Sequence, residues 1–309
     1  MEKKFISFVA YLHNNEDGIK EFMETLCNMA SSKFENYELI LVDDACVDDT
    51  LSRVKQYVED NKLSHMVSIV HMGFFQGMEA SMNAGRDSAI GDFVFEFDDV
   101  DIDFEGDVIF NVYEKSLEGF DIVTATGSGK KRFSSNIFYS LYNRFAHGSG
   151  KIGPEKFRLL SRRAINRVKS MGVYIPYRKA VYANCGLKTT GVSYQSIARS
   201  KKKGKFSQRG SLALDSFIYF TNLLEKLSAV ISGVFLLITV LVGIYIITDY
   251  FNVHKPVEGW VSTMAFLAFG FFGVFALLTI ILKYFSVLLN LEFKKQRYLV
   301  SDIEKVVGK

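Results

Sequence analysis

Asp98-Asp99-Val100-Asp101-Ile102-Asp103 sets four carboxylates directly behind an apolar run, DFVFEFDD at 92–99. In an extended chain Asp99, Asp101 and Asp103 point to one face, because side chains alternate along a strand. Three oxygen ligands on one face suit Mg2+ or Mn2+, hard cations that take carboxylates, waters and substrate phosphates. A carboxylate array at the end of a buried strand is costly without a cation beside it. Divalent metal binding is therefore the first chemistry the chain suggests.

The elements that must hold this turn are legible around it. Four segments read as buried strands: FISFVAYL (5–12), YELILVDD (37–44), MVSIVHM (66–72) and DFVFEFDD (92–99). Amphipathic helical patterns lie between them, including 17–32 and 49–61. Continuous apolar strands alternating with helices indicate an α/β domain with a mostly parallel sheet covered on both faces. Ligands of such sheets bind at the carboxyl ends of the strands. Three of these strands end in polar or acidic residues: His13-Asn14-Asn15, Asp43-Asp44 and Asp98-Asp99. No GxGxxG follows the first strand and no GxxxxGK[ST] occurs, which excludes the common dinucleotide and P-loop nucleotide folds.

The formal charge of +3 conceals an uneven distribution. Residues 1–121 carry 26 Asp/Glu against 9 Lys/Arg, whereas 122–214 carry 20 Lys/Arg against Glu155 alone. So basic a block implies an anionic partner, such as a phosphorylated ligand or a membrane surface. No basic helix with interleaved aromatics appears, so nucleic acid is not an expected partner. Cys27, Cys46 and Cys185 are odd in number and widely spaced, and read as free thiols in a reducing compartment. The amino-terminal apolar run is short, lacks a small-residue cleavage site and reads as a strand rather than a signal peptide.

Two carboxy-terminal runs, LSAVISGVFLLITVLVGIYIIT and GWVSTMAFLAFGFFGVFALLTIIL, carry no charge and reach the length of a bilayer core. The expected organisation is a domain over 1–211, an interfacial helix over 212–226, spanning helices at 227–248 and 259–282, and a tail at 283–309. Lys294, Lys295 and Arg297 follow the second run, while the loop between the runs carries only Lys255 against Asp249 and Glu258. The positive-inside rule then places the domain and the tail in the cytoplasm. The expected location is a multi-pass protein, most simply of a bacterial inner membrane, and hairpins of this kind are compatible with a homo-oligomer.

Several segments resemble family 2 glycosyltransferases. SFVAYLHNNEDGI (7–19) resembles that family's opening strand and Asn-Glu turn, and YELILVDDACVDDT (37–50) its Val-Asp-Asp-Gly-Ser-x-Asp-x-Thr element. GMEASMNAGRDSAIGD (77–92) is similar to its glycine-rich helix, and DVDIDFEGDVI (99–109) to its Asp-x-Asp loop. FRLLSRRAI (157–165) resembles the Phe-Arg-Leu-x-x-Arg-Arg element of the polyprenyl-phosphate subgroup, which includes dolichol-phosphate mannose synthases and undecaprenyl-phosphate glucosyltransferases. The resemblance implies a GT-A fold and an inverting, metal-dependent enzyme. It would move sugar from a UDP- or GDP-sugar to an undecaprenyl or dolichyl phosphate at the cytoplasmic membrane face.

The resemblance also assigns roles. Asn14, Glu16, Asp44 and Asp48 would surround the nucleotide. Asp99 and Asp101 would hold the cation on the donor diphosphate, with Asp103 as a third ligand where the subgroup often has Gln. Arg158 would act in catalysis, and Arg132, Arg158 and Arg162 would bind the acceptor phosphate, with Lys130, Lys131 and Arg163 nearby. The chain departs from the family at Tyr11, usually Pro, and at Ala45-Cys46, usually Gly-Ser. It departs again around Phe74-Phe75-Gln76. Other acceptors such as a lipid-linked glycan, or a non-catalytic membrane-anchored nucleotide-sugar-binding protein, are the alternatives. A processive synthase would need Gln-x-x-Arg-Trp, and the single Trp is Trp260.

Overall fold

The structure, a computed structural model, describes residues 1–129, 139–140, 142–144, 151–171, 177–197, 259–293 and 298–306, with isolated positions between 230 and 244. Strands and helices alternate through the first half: β1 (Glu2–Leu12), α1 (Ile19–Lys33), β2 (Phe34–Asp43), α2 (Thr50–Asp60), β3 (Val67–Met72), α3 (Met78–Ser88), β4 (Phe93–Phe97) and α4 (Asp107–Leu117). There follow β5 (Ile122–Gly127), β6 (Phe157–Ser161), α5 (Arg162–Ser170), α6 (Arg178–Asn184), β7 (Thr189–Tyr194), α7 (Trp260–Phe293) and β8 (Val300–Lys305). The strands form one sheet in the order β7-β5-β6-β4-β1-β2-β3-β8. β1 pairs in parallel with β2 and β4, β2 with β3, and β5 with β7. β6 runs antiparallel to both β4 and β5, and β8 antiparallel to β3.

The strand alternation divides the core in two. Phe8, Ala10, Phe95 and Phe97 face α1, α2 and α4, with Phe22, Val54 and Val112 packed among them. Val9, Val42, Val94 and Leu160 face the other way, against Met82, Ile165 and Val181 from α3, α5 and α6. Two covered faces explain why these strands read as unbroken apolar runs. Gly85 is required for the close packing of α3, since a Cβ there would lie 2.5 Å from both Val9 Cγ1 and Val42 Cγ2. The expected α/β architecture is therefore present, with strand ends that differ from the sequence reading by up to three residues.

The expected membrane hairpin is overturned. Among the described residues no helix is long and apolar enough to cross a membrane. The two-helix, multi-pass location with a cytoplasmic catalytic domain goes with it. An uncharged run sets a minimum length but does not say where a helix stops. Lys283, taken as the boundary of the second crossing, lies inside α7, which continues to Phe293. The first run, 227–248, falls almost wholly outside the described residues, and so does the interfacial segment 212–226. The tail is not a separate segment either. Its strand β8 extends the main sheet at the β3 edge, with Ile303 paired to Val70.

Candidate active site

The loops after β1 and β2 interlock at the carboxyl end of the sheet. Val47 N–H donates to Asn14 Oδ1 at 2.9 Å, Glu16 N–H to Asp48 Oδ2 at 3.1 Å, and Asn15 N–H to Thr50 Oγ1 at 2.8 Å. Asn14 and Ala45 both adopt φ of 56°, left-handed backbone that turns each loop back on the other. Burial alone would raise the Asp48 carboxyl. The hydroxyl and amide of Thr50 and the amide of Glu16 outweigh it and hold the group below its ordinary range. Asn14, Glu16 and Asp48 thus lie in one corner of the structure.

Asp44 has a different place. It is buried, and its oxygens accept from Gln76 N at 2.7 Å, Gly77 N at 2.8 Å and the Tyr11 hydroxyl at 2.9 Å. An ionised carboxylate offers about four acceptor positions, so three are already spent within the protein. Asp44 anchors the β3–α3 loop to the end of β1 rather than presenting both oxygens to a ligand. Burial first, and then the Asp44 charge, push the Tyr11 hydroxyl well above its ordinary range, keeping it a donor.

The acidic turn after β4 is not extended. Asp99 Oδ1 accepts from the Asp101 amide at 3.2 Å, a local turn that ends the strand alternation. Asp103 is drawn away: its Oδ1 accepts from the Tyr194 hydroxyl at 2.8 Å, and its carbonyl from Ile197 N at 2.9 Å. The three-carboxylate face expected of Asp99, Asp101 and Asp103 is therefore not formed. Among the described residues no group of three or more His, Cys, Asp and Glu side chains is arranged to hold a metal. Asp101 instead lies over the β1–α1 loop, where a Cβ on Gly18 would be 3.5 Å from Asp101 Oδ1. This brings the turn against the corner that carries Asn14 and Glu16.

Beneath the turn lies an ion-pair network that the sequence reading missed. Arg158 is buried and donates to Glu96 Oε2 at 2.7 Å, Asp98 Oδ2 at 2.6 Å and Glu155 Oε1 at 2.8 Å. Arg178, equally buried, donates to Glu79 Oε2 at 2.9 Å, Glu96 Oε2 at 2.7 Å and Asp98 Oδ1 at 2.7 Å. Tyr182 completes the set with a 2.8 Å bond to Glu96 Oε1. Burial would raise the Asp98 carboxyl, but Arg158, Arg178 and Lys179 outweigh it and hold it far below the ordinary range. Only Glu96, a charge inside the apolar run FVFEF, signals such a network in the sequence.

The expected arginine cluster is split by the sheet. Because β6 is antiparallel to β4, Arg158 pairs with Glu96 while Ser161 pairs with Phe93. Arg162 and Arg163 therefore sit at the opposite end of the sheet from Asp99. Arg162 donates to the Ala89 and Gly91 carbonyls, and Arg163 pairs with Asp121. Neither belongs to the site, and Arg132 lies outside the described residues. Arg158 itself is spent on carboxylates and anchors Asp98 rather than presenting a free fork to an acceptor.

The chain is similar in sequence and fold to known proteins. An uncharacterized glycosyltransferase of Synechocystis sp. is 25% identical over 272 residues, covering 85% of this chain and 84% of its own. The prophage bactoprenol glucosyl transferase homolog of Escherichia coli K12 is 26% identical over 274 residues, covering 85% and 88%. The bactoprenol glucosyl transferase of Shigella phage SfV is 27% identical, covering 85% and 87%. Among solved structures, a mannosyltransferase of Pyrobaculum calidifontis in complex with GDP-Man and Mn2+ aligns with a TM-score of 0.54 at 15% identity, covering 71% of this chain and 63% of that one. Glucosyl-3-phosphoglycerate synthase of Mycobacterium tuberculosis aligns at 0.50 and 16% identity, covering 70% and 78%. These likenesses make the sheet GT-A-like. The profile of glycosyl transferase family 2 matches residues 7–169, more than half of the sequence, and the chain belongs to that family.

Proposed function

We propose that this glycosyltransferase moves a sugar, with inversion, from a UDP- or GDP-sugar to a polyprenyl phosphate. One observation carries the donor side: Asp101 lies over Gly18, so the acidic turn adjoins the corner of Asn14, Glu16 and Asp48. The acceptor class is drawn from the relatives named bactoprenol glucosyl transferase.

The residues fit a divalent cation as a donor-dependent site rather than a closed cage. Asp99 is half-buried and Asp101 exposed, both at the end of β4. Mg2+ and Mn2+ are commonly held by one or two carboxylates together with substrate phosphates and water, which suits Asp99 and Asp101 without Asp103. A bound cation would offset the charge that gathers on the leaving diphosphate. The protein's own part is positional. Asn14, Glu16 and Asp48 orient the nucleotide, and the Arg158–Asp98–Arg178 brace keeps the turn at the sheet end. An acceptor phosphate oxygen forms the new bond to the anomeric carbon as the bond to the nucleoside diphosphate breaks. That oxygen is already ionised at neutral pH, so no strong general base is needed.

The test is transfer from a panel of radiolabelled UDP- and GDP-sugars to polyprenyl phosphate with Mg2+ or Mn2+. Label entering the organic phase with one donor is the expected result. Metal-dependent nucleotide binding without transfer from any donor would overturn the acceptor assignment.

A further inference from the structure

A cavity of about 230 Å3 opens beside Arg158, bounded by β5, β7, α6 and the segment that enters β6. Lys151, Lys179, Thr124 and Thr190 line it, together with Glu155 and Arg158. Lys179 is the unusual member. Its side chain is only 13% exposed, yet its Nζ lies 3.7 Å from Glu155 Oε1, beyond hydrogen-bond reach. That oxygen already accepts from Arg158 Nε at 2.8 Å. The Lys179 charge thus meets Glu155 as an ion pair and offsets part of the carboxylate excess around Asp98. An ammonium carries three donors, and an anion in the cavity would supply acceptors for them.

We infer that this cavity binds the phosphate group of the acceptor, with Lys179 and Lys151 as its cationic ligands. The assignment rests on the proposed function and gives it cationic acceptor ligands among the described residues. Arg162 and Arg163 stand at the far end of the sheet, and Arg158 is committed to Glu96, Asp98 and Glu155. The cavity adjoins the acidic turn through Arg158, which lines it and grips Asp98, the neighbour of Asp99. A phosphate there would accept from Lys179, with Lys151 on the exposed rim and threonine hydroxyls along the strands.

The test uses the full chain, a polyprenyl phosphate acceptor, and inorganic phosphate as a probe. Phosphate is expected to compete with the acceptor and not with the nucleotide sugar. Lys179→Ala and Lys151→Ala should each raise the acceptor KM roughly tenfold to a hundredfold, the range for one hydrogen bond to a charged group. The donor KM should move far less. Lys151 lies on the surface, so its variant keeps the test valid if Lys179→Ala fails to fold. Transfer by the parent chain with an unchanged acceptor KM in Lys151→Ala and in any folded Lys179→Ala overturns the cavity assignment and leaves the function standing. Phosphate binding that both variants lose, in a chain that transfers nothing to polyprenyl phosphate, keeps the anion site and removes the lipid acceptor. Phosphate competing only with the donor overturns the assignment as well.

Discussion

Arg158 and Arg178 grip the two oxygens of one carboxylate, Asp98 Oδ2 at 2.6 Å and Asp98 Oδ1 at 2.7 Å, while both donate to Glu96 Oε2 at 2.7 Å. A buried brace of this kind contributes little when intact, because desolvation opposes the attraction, but is costly to break. Arg178→Ala leaves Glu79 without its cation and Glu96 and Asp98 with one arginine in place of two, and is expected to lower stability by about 3–5 kcal/mol. The midpoint of urea unfolding measures it. A loss below about 1 kcal/mol would mean that water or Arg158 replaces the missing partner.

Arg162 looks like an acceptor ligand in the sequence but works as a clamp. Its guanidinium holds the Ala89 and Gly91 carbonyls between α3 and β4. Arg162→Ala should cost about 1–3 kcal/mol in stability from the carbonyls left unsatisfied. The acceptor KM of the folded variant should stay at the parent value. A raised acceptor KM at unchanged stability would return Arg162 to the site.

How far the sequence carries can be read from these two arginines. Arg158 and Arg162 are neighbours in FRLLSRR, and a motif read along the chain assigns them together. Four strand residues separate their ends by about 13 Å, and only the antiparallel setting of β6 decides which end meets β4. Strands β1 to β4 were legible because burial on both faces leaves unbroken apolar runs. Strand β8, VSDIEK, was not, since an edge strand with exposed side chains carries no such run. Arg178 offered no signal at all, for its partners come from α3, β4 and the turn after it. Strand alternation does not place Asp103, because it holds in a strand and lapses where Asp99 closes a local turn.

Strand β8 supplies a pH-dependent contact. Glu304 receives Lys55 Nζ at 2.8 Å and faces His71 Nε2 at 3.2 Å, and His71 Nδ1 faces Asp43 Oδ2 at 2.9 Å. The hydrogen bonds from Lys55 and His71 hold the Glu304 carboxyl below its ordinary value of 4.5. A depressed carboxylate contributes stability above its unfolded value and loses it as pH falls through the folded one. Protection of the β8 amides against hydrogen exchange, taken relative to the intrinsic rate at each pH, should therefore fall as pH drops below 4.5, before that of the central strands. Glu304→Gln should remove that acid step. An identical pH profile in the variant would assign the step elsewhere.

Gln76 joins the same carboxy-terminal segment to Asp44 at the end of β2. Its side-chain amide donates to the Leu299 carbonyl at 2.7 Å and accepts from Leu299 N at 2.9 Å, while its backbone N–H donates to Asp44. Gln76→Ala should raise the nucleotide-sugar KM severalfold with kcat little changed, because it loosens a loop rather than removing a reacting group. Leu299→Pro removes the N–H of one of the two bonds and keeps the carbonyl, so it should give a smaller rise. The double variant should be no worse than Gln76→Ala alone, since that change already removes both bonds. Additive losses would separate the two residues.

Ala45 is held at φ of 56°, where the family pattern places glycine. Left-handed backbone costs a residue with a Cβ about 1–2 kcal/mol. Glycine removes that strain and returns part of it through a freer unfolded chain. Ala45→Gly should therefore gain about 0.5–1 kcal/mol, seen as a rise of a few degrees in Tm. A fall in Tm would show that packing of the Ala45 methyl outweighs the strain.

Asp101 and Asp103 separate the metal-binding reading from the structural one. Asp101 is exposed at the tip of the turn and adjoins Gly18, whereas Asp103 is tied to Tyr194 and to the segment around Ile197. If the cation is held by Asp99 and Asp101, Asp101→Asn should raise the Mg2+ or Mn2+ concentration needed for half-maximal transfer and reduce kcat by about a hundredfold or more. Asp103→Asn should instead lower Tm by weakening the Tyr194 contact, a loss of about 1 kcal/mol, and leave the metal requirement as it was. Titrating the metal for both variants distinguishes the roles within one experiment. An Asp101→Asn enzyme with the parent metal dependence would remove Asp101 from the site. A shifted metal dependence in Asp103→Asn would mean that Asp103 leaves Tyr194 when the donor binds.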